Sequence, residues 1–310
     1  MNPEQTRSLI TVCLMAAFAD GHQDPREREH VRRVAESLSA QAGIDFMPLY
    51  QDVLLKRISL EQAVEALGSP ELRQLAFEMA VGVCDADGVH DVGETAFLDR
   101  LSGVLGLARA ESAAIVRDAD ALAEAPVDKP IPEIPTAAGP DQAELDKMIL
   151  NAAILNGALE LLPESLASMA IIPLQTRLVY RVGKAHGFEL DRGHITDFLA
   201  TVGVGLTSQY VEQFGRKLVG GLLGKMLGRT GRTIGSEATG SAFSFATTYA
   251  LGHVAKRYYA DGRKLDAAAL KTSFAQLTDS ARGLQERYAP EIAQRARTLD
   301  LKRLTAELRA

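Results

Sequence analysis

Apolar residues recur along most of the chain at intervals of three and four, the spacing that lines one face of a helix. Leu9, Cys13, Ala16 and Ala17 form one such stripe, Val31, Val34, Ala35 and Leu38 a second, and Leu75, Met79, Gly82 and Val83 a third. Start signals fall where these stripes need them. Ser59-Leu-Glu-Gln62 has the spacing of a capping box, and Ser69 ahead of Pro70 and Glu71 places an N-cap before a first-turn proline. The pattern predicts about six to eight helices before residue 124. After residue 141, Asp141-Gln-Ala-Glu144 opens a further capping box, and a helical pattern runs through Pro163 and Pro173 to Gly187. Leu270, Phe274, Leu277, Ala281, Leu284 and Tyr288 follow 4-3-4-3-4 spacing, a seam for another helix. Its short length favours packing within a bundle; a homo-oligomer through this C-terminal helix is the alternative. The fold class predicted is all-α: a duplicated helical-hairpin N-terminal bundle and a glycine-rich helical C-terminal domain.

Residues 124–141 interrupt the pattern with five of the twelve prolines, which remove backbone donors and favour extended chain. The expected division is residues 1–123, an acidic helical domain; 124–141, a stiff linker; 142–264, a basic glycine-rich domain; and 265–310, an amphipathic helix. Charge sharpens this division. Residues 1–145 hold 25 Asp and Glu against 12 Lys and Arg, and residues 146–310 hold 15 against 22, so −13 and +7 make up the net −6. Opposite signs point to different partners for the two parts, or to each other. Trp is absent and aromatics are 5%, which leaves the core to aliphatic residues and alanine. Cys13 and Cys84 sit in apolar helical stretches without metal-ligand spacing, so reduced, buried thiols are expected. With a polar start to the chain, this predicts a cytoplasmic protein.

One internal repeat stands out. Ala19-Asp20-Gly21-His22-Gln23-Asp24-Pro25-Arg26-Glu27 aligns without gaps on Ala86-Asp87-Gly88-Val89-His90-Asp91-Val92-Gly93-Glu94. Each copy follows one apolar helical run and precedes another, so the domain reads as two related helical hairpins. Asp20, Asp24 and Glu27, and Asp87, Asp91 and Glu94 with Asp85 nearby, form all-oxygen clusters of the kind that suits Ca²⁺, Mg²⁺ or Mn²⁺. The loop is not an EF-hand, since Val89, His90 and Ala96 occupy positions that such a loop needs for a ligand, a glycine and a glutamate. Helix punctuation accounts for most of the same residues. Gly21 and Gly88 suit helix ends, Asp24 and Asp91 suit N-caps, and Glu27 and Glu94 complete capping boxes. Only Asp20 and Asp87, at helix C-terminal ends where the dipole disfavours negative charge, are left without a role, and the metal reading rests on them.

With Leu-Met-Ala-Ala-Phe18 before the first copy and Met-Ala-Val-Gly-Val-Cys84 before the second, residues 5–122 resemble the TerB-like domain associated with tellurite resistance. That resemblance implies an all-helical, internally duplicated domain whose acidic loops are a proposed metal site. Here the site would fall on Asp20, Asp24, Glu27, Asp87, Asp91 and Glu94. It implies a stress-linked or membrane-linked accessory module rather than a defined reaction.

In the second half, Gly220, Gly224 and Gly228 recur every fourth residue, a face that lets another backbone approach closely. Ala238 to Ala255 carries no formal charge, yet its Ser, Thr and Gly argue against a spanning helix. Arg216, Lys217, Lys225, Arg229, Arg232, Lys256, Arg257, Arg263 and Lys264 flank the apolar stretches as contacts to an anionic membrane surface would. Nucleic acid is disfavoured, because stacking aromatics are not interleaved with these basic residues. Val219 and Met226 break the one stretch that approaches a P-loop. Ile172 to Gly187 and Phe245 to Tyr259 are similar to the YcjF-like family, a resemblance over 145–275 that implies a GTPase or other protein partner and no catalytic residues. His186, His194 and His253 show neither metal spacing nor a carboxylate partner and read as structural. The sequence therefore predicts a non-enzymatic adaptor that senses a divalent cation through its acidic loops. It would act at the inner membrane face or with a GTPase. The alternatives are a metal-dependent enzyme built on Asp20 and Asp87, and a purely structural interaction protein.

Overall fold

The computed structural model describes residues 2–19, 31–33, 35–36, 45–87, 91–123, 140–162, 165–202, 210–215, 237–301 and 303–304. Every regular element among them is helical, as the spacing of apolar residues predicted. Before the proline-rich segment these are α1 (Pro3–Ala16), α2 (Met47–Leu54), α3 (Leu60–Ala63), α4 (Pro70–Cys84), α5 (Val92–Leu105) and α6 (Arg109–Ala123), with further helical residues at 31–33 and 35–36. After it come α7 (Gln142–Glu160), α8 (Ser165–Met169), α9 (Ile171–Ala185), α10 (Arg192–Val202), α11 (Glu237–Ala260) and α12 (Ala267–Thr298).

The described residues divide into two units. The first holds residues 2–123 together with 165–169 and 210–215; the second holds 140–162, 170–202 and the residues from 238 onward. Neither unit is one continuous stretch of sequence.

In the first unit α4 is the central helix, packed against α1, α5, α6 and α8. All six residues from Met79 to Cys84 are buried, so this part of α4 is covered all round rather than along one stripe. A helix apolar on every side is the sequence signature of that position. The expected α1 stripe, Leu9, Cys13, Ala16 and Ala17, is buried, as are Val31 and Ala35. The helices entering the two copies of the repeat, α1 and α4, pack against each other. Gly82 allows a close approach on α4: a Cβ there would lie 3.0 Å from both Met169 Cε and Phe214 Cζ. Tyr210 Oη donates to the Met169 carbonyl at 2.9 Å. Residues far along the chain thus complete the packing of the helix that carries the second repeat.

In the second unit α7 packs against α9 and α12, and α10 against both α9 and α12. The sequence pattern ran unbroken from Asp141 through both prolines. Instead α7 ends at Glu160, and α9 begins at Ile171 with Pro173 in its first turn. There the missing N–H costs no helical hydrogen bond, so the proline fits a new start better than an interior. The α12 seam is taken up inside the chain. Leu284 and Tyr288 pack against a core of Ala153, Ala158, Phe245 and Ile292, and Leu270 and Ala281 are buried. Close approach through glycine occurs at Gly252, where a Cβ would meet Ile149 Cγ2 at 2.7 Å. The expected stripe at Gly220, Gly224 and Gly228 lies outside the described residues. Within this core Asn156 Nδ2 and Gln175 Nε2 both donate to Thr248 Oγ1, at 2.9 and 3.0 Å.

Candidate functional site

The second copy of the Ala-Asp-Gly repeat is built by the end of α4 and the start of α5. The α-helix stops at Cys84, and Asp85–Asp87 add one 3₁₀ turn. Asp91 then takes extended backbone (φ −82°, ψ 176°) and caps α5. The Glu94 N–H donates to Asp91 Oδ1 at 2.7 Å, and the Asp91 N–H donates to Glu94 Oε2 at 2.9 Å. This is a reciprocal capping box, as the spacing predicted. Both carboxylates also lie where the α5 N-terminus carries its partial positive charge. Of the other predicted starts one is a reciprocal box, and the box expected at Asp141 to Glu144 is present only as an N-cap. Ser59 and Gln62 form a second box, Ser69 caps α4, and Asp141 accepts from the N–H groups of Ala143 and Glu144.

Asp20, Gly21, Asp24, Pro25 and Glu27 of the first copy lie outside the described residues, as do Gly88 and the side chain of Asp87. Among the described residues no three His, Cys, Asp or Glu side chains converge as a metal site would require.

Among the described residues of this loop Asp85 turns its carboxylate inward and is only 5% exposed. Its neighbourhood includes Tyr210, whose phenol is pushed well above its ordinary range by burial and then by the Asp85 charge. The sequence placed Asp85 beside the loop but gave no sign of Tyr210, which is 125 residues away and belongs to no motif.

Two histidines depart from expectation by having carboxylate neighbours. His194 Nδ1 lies 2.8 Å from Asp191 Oδ1, and bonds from the His194 backbone and ring hold the Asp191 carboxyl below its usual value. His253 Nδ1 lies 3.8 Å from Asp146 Oδ1, which also pairs with Lys256 at 2.5 Å. Asp191 stands three residues before His194, a spacing already visible in the sequence, whereas Asp146 lies more than 100 residues before His253 and is brought to it by the fold. His186 Nδ1 sits 2.8 Å from the Val182 carbonyl, the structural role expected.

The sequence reading also passed over Arg177 and Arg181 within the Ile172 to Gly187 stretch. Their spacing of four puts both on one face of α9, in a cleft of the second unit. The available signal was two arginines one turn apart on an amphipathic helix.

Residues 6–117 match the family described as Tellurite resistance protein TerB. The N-terminal part of the chain is therefore TerB-like, as the repeated loop implied. No curated protein and no solved structure matches the chain. Nothing in these comparisons supports the YcjF-like resemblance of residues 145–275. Among the described residues no helix is long and apolar enough to cross a membrane.

Proposed function

We propose that the chain is a non-enzymatic accessory protein of a tellurite-type stress response, in which the TerB-like part binds a divalent cation at its duplicated loops. The observation that carries this reading is the match over residues 6–117, which spans both copies of the loop. A cation held there by Asp20 and Asp87 would offset negative charge at the positions the sequence pattern assigns to helix C-terminal ends, where the dipole opposes it. Asp91 and Glu94 already bind backbone N–H groups, so they would be shared between cation and helix start. Cation binding would then be coupled to the capping of α5.

The second unit supplies the docking half of the reading, toward an anionic membrane face or the GTPase implied by the YcjF-like resemblance. Arg257, Arg263 and Lys264 are exposed at the end of α11 and in the turn beyond it. That placement suits contact with an acidic surface.

Calorimetric titration of the full chain with Ca²⁺, Mg²⁺ and Mn²⁺ tests the cation. Saturable heat for at least one ion, lost in Asp20→Asn/Asp87→Asn, is expected. No heat for any of the three would return the loops to helix punctuation alone.

A further inference from the structure

The second unit contains a cleft of about 900 Å³ walled by α7, α9 and the C-terminal turns of α12. Pro290 immediately precedes the α12 residues that line it. Lacking an N–H, it leaves the helix ladder one bond short at that point. Leu155, Leu174 and Leu178 give the cleft apolar walls.

Into this apolar setting α9 places Arg177 and Arg181. Arg177 is only 8% exposed, and Arg181 is half-buried. Among the described residues the Nε of Arg181 is buried without a hydrogen-bond partner. Burial lowers the proton affinity of both guanidinium groups, and the Arg181 charge lowers that of Arg177 further. A half-buried guanidinium beside a second one is unfavourable, because arginine stays charged and the two repel. Lys147 and Arg295 add two positive charges at the rim, and Glu144 and Glu291 two negative ones. The cleft therefore carries a formal excess of two positive charges. The cleft lining includes Asn156, fully buried, whose Oδ1 has no partner among the described residues and can accept from a hydroxyl.

We propose that this cleft is a binding site for a phosphomonoester carried on an apolar body, with the phosphate held by Arg177 and Arg181 and the apolar part lying along Leu155, Leu174 and Leu178. The excess of two charges matches a phosphate monoester, which carries about −1.5 to −2 near neutrality. The guanidinium fork matches its oxygens in geometry as well as charge. Such a ligand comes either from a membrane, as the headgroup of a phosphatidic-acid-like lipid, or from solution, as a free phosphate ester.

The test uses the full chain and dodecyl phosphate below its micelle concentration, with dodecanol as the uncharged control. One dodecyl phosphate per chain is expected to bind and raise the melting temperature, with dodecanol far weaker and inorganic phosphate competing only at high concentration. Arg181→Gln should weaken binding roughly 10- to 100-fold, the scale of a lost charged hydrogen bond. It should leave the ligand-free melting temperature unchanged or higher, because a like-charge repulsion has been removed. That second readout separates loss of the site from loss of the fold, and Arg181→Lys should fall between Gln and the parent. Flotation with vesicles of phosphatidic acid and phosphatidylcholine, against phosphatidylcholine alone, distinguishes the sources. Arg181-dependent capture by the acidic vesicles assigns the lipid, and binding of dodecyl phosphate without such capture assigns the soluble ester. Equal affinity for dodecyl phosphate and dodecanol, or unchanged affinity in Arg181→Gln, would overturn the proposal.

Discussion

His253 shows how much of a residue's behaviour is set by neighbours the sequence keeps apart. It lies on α11, with the Tyr249 ring centroid 4.4 Å from its own, Asp146 of α7 at 3.8 Å, and Lys256 and Arg257 close by. Burial lowers its proton affinity; Asp146 opposes this, and the two basic residues reinforce it. A histidine whose folded-state pKa is depressed favours folding while neutral. Its contribution is present above the ordinary value near 6.5 and is lost as the pH falls below it, because the unfolded chain takes up the proton first. The melting temperature of the full chain should therefore drop between about pH 7 and pH 5. In His253→Asn that drop should be smaller; an identical drop would assign the pH dependence to other groups. None of this was legible in the sequence, where Asp146 and His253 are more than 100 residues apart and belong to no common motif. The same holds for Thr248, whose hydroxyl accepts from Asn156 and Gln175. Polar residues in an apolar run show that something must satisfy them, but the partner is a product of packing.

Helix starts were the most legible elements, because capping is local: donor, acceptor and backbone turn lie within four residues. Ser59, Ser69, Asp91 and Asp141 all cap the helices their spacing predicted. For α5 the consequence is measurable. Asp91→Ala removes the acceptor for the Glu94 N–H and should destabilise the first unit by about 1 kcal/mol, read from chemical denaturation of the full chain. A change below a few tenths would mean that other bonds hold the start of α5. Helix ends and interruptions were less legible. The pattern of apolar residues passes through Pro163 and Pro173 without a change of period, yet the chain ends one helix at Glu160 and starts another at Ile171. Periodicity reports which face is apolar, not whether the same helix continues. The α12 seam was correctly read as helical, but its partner, α7, could be identified only from the fold.

At the scale of the whole molecule the proline-rich segment suggested one cut, with the duplicated loop and everything it needs on the N-terminal side. The first unit also takes in residues 165–169 and 210–215, and Met169 and Phe214 close over Gly82 of its central helix. Composition could not reveal this, since the contact depends on one glycine and two ordinary apolar side chains. The two cysteines report on it. Cys13 and Cys84 are both buried in this unit, and burial pushes the Cys13 thiol up to about 12. In the native full chain neither should react with a neutral thiol reagent within minutes, while both should react after denaturation. A fragment of residues 1–123 lacks the cover over Gly82, two residues from Cys84, and should label at Cys84 well before the full chain does. Equal protection would mean that the N-terminal residues close their own core.

The cover over Gly82 also sets an order of events during synthesis. A chain emerging from the ribosome presents both copies of the acidic loop early, but the side chains that seal α4 follow only after Met169 and Phe214 have been made. For the time needed to translate the intervening residues, the helix carrying the second loop has its glycine face open. A nascent chain stalled in that interval would be the form most exposed to chaperones and proteases, and gene fusions that cut at the proline-rich segment would make that exposure permanent.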